Sequence, residues 1–136
     1  MCAIRKILVA VDFSDYTAQT VQFAAALAND VKASLVLVNI LSERDVKAVY
    51  SGLAHFDAAF CEKKVEEWLT ERKEKLSELA RSIEASGRFI KEIVRIDMPF
   101  LGILRAIEDE DPDLVMGAIP FSGNLLAFWH NRFGTP

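Results

Sequence analysis

Cysteine is scarce in this chain. Only Cys2 and Cys61 occur among 136 residues, and their spacing fits neither a disulfide framework nor a zinc site, so reduced thiols are expected. Positive charge is not in excess either: 16 Lys and Arg stand against 20 Asp and Glu, a formal net charge of −4. That excludes the basic face with which a nucleic-acid binder neutralises phosphates. No apolar run approaches the ~18 residues of a membrane span, and no N-terminal stretch ends in a secretory cleavage pattern. A cytoplasmic protein without membrane or nucleic-acid partners is therefore expected. Histidine is confined to His55 and His130, which lie far apart with no matching ligands near them in sequence, so no metal centre is expected. The chain also lacks a Gly-Lys-Ser/Thr phosphate loop, a glycine-flanked serine elbow and any evident acid/base pair, which argues against an enzyme. With no internal repeat and no low-complexity linker, residues 1–136 read as one domain, long enough to bury about two-thirds of its unfolded surface.

What is present is organised around Ile7 to Asp15, Ile-Leu-Val-Ala-Val-Asp-Phe-Ser-Asp. Five consecutive apolar residues fit a strand buried on both faces, since a half-exposed strand would alternate apolar and polar positions. Asp12 then stands where the strand hands over to a helix, at the sheet edge where open α/β folds place their ligands. Ser14 and Asp15 can cap a helix over about 15–31, with Ala18, Val21, Ala24 or Ala25, Ala28 and Val31 at three- and four-residue spacing. Ser34 to Ile40 repeats the logic of the first strand, and residues 44–56, with the breaker pair Ser51-Gly52, read as a loop or a short helical piece. Residues 57–86 are strongly helical, with Phe60, Val65, Trp68 or Leu69, Leu76, Leu79 and Ile83 on one face and mixed charges on the other. A third strand at 89–96 leads into a helix opened by Asp97-Met98-Pro99 and buried through Phe100, Ile103, Leu104 and Ile107; Asp111-Pro112 ends it. Asp113 to Met116 is a fourth strand stopped by Gly117, after which Leu125, Trp129 and Phe133 fall on one helical face. Strands separated by helices imply an α/β fold, a doubly wound open parallel sheet.

Three stretches, Ile7 to Asp15, Leu35 to Ile40 and Pro112 to Ala118, together with the Pro99 helix, resemble the universal stress protein family over about residues 4–123. The resemblance implies strand order 3-2-1-4-5, and members that bind ATP or AMP with magnesium alongside others that bind no nucleotide. It places the base and ribose at Ala10, Val11 and Asp12 and at the main chain of Ile40, and it places phosphates along a glycine loop beginning at Met116 and Gly117. Gly123 and Gly134-Thr135 resemble later parts of that loop. Where the family has its second glycine this chain has Pro120, which offers no amide, and a following helix and fifth strand are missing, so the order expected here is 3-2-1-4. Asp12 has a competing reading as a cap of the first helix, and Gly117 as a plain turn residue. The expected function is a regulatory or interaction domain with weak or no nucleotide binding, acting through homodimerisation or partner contacts. An adenine-nucleotide-binding module is the alternative, and an ATPase or adenylate-transferring enzyme comes third.

Overall fold

The computed structural model describes residues 3–52, 57–83, 89–119 and 124–129, the last six together with 118 and 119 as backbone only. Its elements are β1 (Lys6–Ala10), α1 (Thr17–Val31), β2 (Ser34–Ser42), α2 (Glu43–Gly52), α3 (Ala58–Ile83), β3 (Ile90–Asp97), α4 (Pro99–Glu110), β4 (Leu114–Ile119) and β5 (Asn124–Trp129). They form one five-stranded sheet in the order β3-β2-β1-β4-β5. The first four strands are parallel, with Val9 opposite Leu37 on one side and Met116 on the other. The run of five apolar residues is a central strand as expected: Ile7, Leu8 and Val9 are each fully buried.

Alternation along the strands separates two cores. Ile7, Val9, Leu35, Leu37 and Met116 face Val21, Ala24 and Ala28 of α1 and Leu76 and Ala80 of α3. Leu8, Val36, Val38 and Val115 face Ala106 of α4, with Ile40, Ile93 and Ile107 packed around them. The edge strand β3 carries Lys91, Glu92 and Arg95, charges that discourage a stray strand from pairing there.

Several expectations are corrected. The parallel order 3-2-1-4 is as expected, but β4 is not left open: an additional strand, β5, pairs antiparallel with it, from Leu114 opposite Trp129 to Ile119 opposite Asn124. Residues 124–129 were expected to be helical, but a short apolar run satisfies either period, and the open edge of β4 settles the choice by offering partners for the β5 amides and carbonyls that face it. Consequently β4 does not stop at Gly117 but runs to Ile119. For the segment after β2 the structure takes the helical alternative: α2 is a ten-residue helix whose first turn carries Glu43 and Asp45 against the positive end of its dipole. The buried face of α4 is also rotated from the expected one. Phe100 is 75% and Leu104 43% exposed, while Gly102 and Ala106 face the sheet. The reason is close approach: a β-carbon on Gly102 would lie 2.9 Å from Ile40 Cδ1 and 3.0 Å from Asp97 Cβ. On α1, Ala18 is exposed and Thr17 and Thr20 are buried, and on α3 Cys61 is buried where Phe60 was expected to be.

Candidate functional site

The carboxyl edge of β1 is where strand order reverses, β2 lying on one side and β4 on the other. Residues of the expected site fall on two faces there. Ala10 shares its face with Leu8, Gly117 shares its face with Val115, and Ile40 packs in the same cluster, so all three lie on the α4 side. Gly117 stands beside Ala10, and a β-carbon there would be 3.6 Å from Ala10 Cβ, an ordinary contact. Two small neighbours make a flat floor. Val11 and Met116 instead belong to the α1/α3 core, at 5% and 0% exposure, and offer a ligand only main-chain atoms. Those of Val11 are already engaged: its amide donates to the Val38 carbonyl at 2.8 Å, and its carbonyl accepts from Asn39 Nδ2 at 2.7 Å. Gly123, Gly134 and Thr135 lie outside the described residues.

Asp12 is exposed at the junction of the two faces. Its Oδ1 accepts from the Ser14 amide at 3.0 Å and from Thr17 Oγ1 at 3.3 Å, so the capping role is filled within the loop while the carboxylate still faces outward. Ser14 Oγ accepts from the Tyr16 amide at 3.3 Å. Phe13, between them, has φ 57°, a left-handed conformation that costs a bulky residue of order 1–3 kcal/mol and persists only where surroundings enforce it. Its ring packs partly into the α1/α3 core, and Lys75 Nζ stands 5.6 Å from the ring centroid.

On the α3 side of the same loop is a cleft of about 280 Å³ bounded by Asp12, Phe13, Leu41, Asp45, Trp68 and Arg72. Trp68, expected in the core, is half-buried on its wall. Arg72 reaches inward and donates to Asn39 Oδ1 at 2.9 Å. Sequence reasoning missed both Asn39 and Arg72. The signal for Asn39 was present, a polar residue inside a run that must be buried, whereas Arg72 is one cation among many on a charged helix.

At the end of β3, Asp97 is 4% exposed. It does not cap α4 in the expected way, since the N-cap is Met98; its carboxylate accepts from the Met98 amide at 2.8 Å and from Arg105 at 2.7 Å. Burial pushes the carboxyl up, but the Met98 amide and the Arg105 guanidinium, aided by the charge of Arg95, outweigh it and hold it below the usual 3.8. A folded-state value below the unfolded one contributes stability that is present above pH 3.8 and is lost as pH falls through the folded value. Urea unfolding of the wild type between pH 5 and pH 2.5 should therefore show a steeper acid loss than Asp97→Asn, and identical acid limbs would disprove this role.

The doubly wound α/β sheet sets the exposed Asp12 and the small residues Ala10 and Gly117 at the point of strand reversal, the place where open α/β folds take their ligands. The sequence model of the Universal stress protein family matches residues 3–119, and the chain belongs to that family. It is 28% identical over 122 residues to Universal stress protein MJ0577 of Methanocaldococcus jannaschii, across 82% of this chain and 74% of that one. The solved structure of MJ0577 superposes with a TM-score of 0.69 at 22% identity, over 84% of this chain and 73% of the other. A universal stress family protein from Burkholderia pseudomallei gives 0.65 at 18% identity, over 88% and 84%. A universal stress protein solved in complex with cAMP gives 0.53 at 17%, over 84% and 72%. At these identities the solved structures show the fold. Among the described residues no helix is long and apolar enough to cross a membrane.

Proposed function

We propose that this chain is a single-domain cytoplasmic regulatory module that receives the nucleoside part of an adenine nucleotide on the floor made by Ala10, Ile40 and Gly117. Asp12 meets the ribose, the phosphates are held weakly, and the output is delivered through contacts between copies of the chain or with a protein partner. The observation that carries this reading is the side-by-side placement of Ala10 and Gly117 at the strand reversal, with Asp12 exposed in the loop that follows β1. The likeness to a protein solved with cAMP supports an adenine nucleotide as the ligand class. Weak phosphate binding is supported by the chain after β4. Only residues 120–123 separate β4 from β5, too few for a helix whose free amides and dipole would add ~0.3–2 kcal/mol for an anion. Pro120 removes one more amide. Trp129 pairs with Leu114, so β5 ends at the opposite edge of the sheet from Asp12.

Calorimetric titration of ATP, AMP, cAMP and adenosine with magnesium present tests the reading. The expected result is weak binding of all four, with less than about tenfold, or ~1.4 kcal/mol, between ATP and adenosine. Asp12→Ala should weaken adenosine and ATP alike. Tight ATP binding with a large preference over adenosine overturns the phosphate part, and no heat with any of the four overturns the nucleotide part.

A further inference from the structure

The strained loop that presents Asp12 is tied to the rest of the molecule through a buried amide. Asn39 is 2% exposed, on the α1/α3 face of β2, and it bridges two elements: Nδ2 donates to the Val11 carbonyl at 2.7 Å, and Oδ1 accepts from Arg72 of α3 at 2.9 Å. The two ends of an asparagine amide have nearly the same shape but opposite hydrogen-bonding character. A guanidinium is donor-only, so the atom turned toward Arg72 must be the oxygen, and the amide nitrogen is thereby aimed at the Val11 carbonyl. Without Arg72, Oδ1 would be left in a buried place with no donor, and turning the amide to find one would set its oxygen against the Val11 carbonyl.

We infer that Arg72 is a positioning residue for the Asp12 loop: through the fixed orientation of Asn39 it holds the Val11 carbonyl, and with it the direction in which the next residue, Asp12, leaves the strand. A second tie from the same helix strengthens the inference. Lys75, three residues on, stands over the ring of Phe13, so α3 grips the loop both before and after Asp12. Together with the packing of the ring against the core, these ties oppose the strain of a phenylalanine at φ 57°.

The consequence for ligand binding rests on the nucleotide reading above, but the consequence for the loop does not. Two variants separate the parts of the relay. Arg72→Met keeps the length of the side chain and removes the donor. Asn39→Asp keeps an acceptor for Arg72 and removes the donor to Val11. In nucleotide-free protein, amide signals of Asp12, Phe13 and Ser14 in nitrogen-proton correlation spectra should shift in both variants, and the Ser14 amide, which donates to Asp12 Oδ1, should exchange faster with deuterium. Titrated with AMP, both should bind roughly tenfold more weakly, equivalent to ~1.4 kcal/mol. Loop signals unmoved in Arg72→Met, even with a lower melting temperature, overturn the inference, because Arg72 would then be merely structural. So does a shift in Arg72→Met that Asn39→Asp does not reproduce. If Asn39→Asp does not fold, Arg72→Met decides alone. If the wild type binds no AMP, the nucleotide reading fails, and the spectra of the free protein still decide the role of Arg72.

Discussion

A chain ending at Ile119 is expected to aggregate under conditions where the full chain does not. The outer edge of β4 runs Leu-Val-Met-Gly-Ala-Ile, and all six residues pair with β5. Removing the partner strand leaves a row of unpaired amides and carbonyls on an apolar, uncharged, proline-free segment, the combination that recruits further strands. Each lost ladder bond also withdraws about 0.5–1.5 kcal/mol of net stabilisation, so the truncated chain should unfold more readily as well as stick. Light scattering and urea titration of the two lengths side by side provide the check. A truncated protein with unchanged mass per particle and an unchanged urea midpoint would show that β5 does not protect this edge.

Leu76→Ala should lower stability by about 2–5 kcal/mol, the usual range for a fully buried leucine whose surroundings close only partly over the gap. Leu76 is 0% exposed in the cluster where α3 meets Ile7, Val9, Leu37 and α1. It lies four residues after Arg72, one turn along the same face, so it also seats the stretch of helix that grips the Asp12 loop. The expected readout is a clear drop in the urea midpoint, accompanied by displacement of the same Asp12, Phe13 and Ser14 amide signals. A loss under about 1 kcal/mol would mean that α3 is not docked on the sheet in this way.

The architecture was legible where burial dictates composition. Ile7 to Ala10 and Leu35 to Ile40 are rich in β-branched residues and closed by polar ones, which favours buried strands, and the three- and four-residue spacing of apolar residues between them favours a crossover helix. The position of Asp12 followed from the same reasoning, because a strand buried on both faces must end at a polar handover. The strand order needed the family resemblance, since periodicity says nothing about neighbours. Helix faces were less legible: Phe100 and Leu104 looked like core, yet Gly102 and Ala106 face the sheet because a close approach to Ile40 and Asp97 excludes larger side chains. Residues 124–129 differ from the expectation because the apolar run of five from Leu125 to Trp129 fits a helix or a strand, and the unpaired edge of β4 distinguishes them. Asn39 and Arg72 could not be joined by reading along the chain, since their link depends on α3 crossing β2.

The reversed direction of β5 also bears on the order in which the sheet assembles. Pairing Ile7 with Leu114 must close a loop of more than a hundred residues, whereas Ile119 and Asn124 are joined across residues 120–123. Loop-closure entropy grows with length, and a short antiparallel hairpin forms in about 1–10 μs. The last two strands can therefore zip together before the amino-terminal strand receives them. β4 then reaches β1 with one side already satisfied, and it presents a single free edge, so the slow long-range step of folding has one pairing to make and one fewer to get wrong.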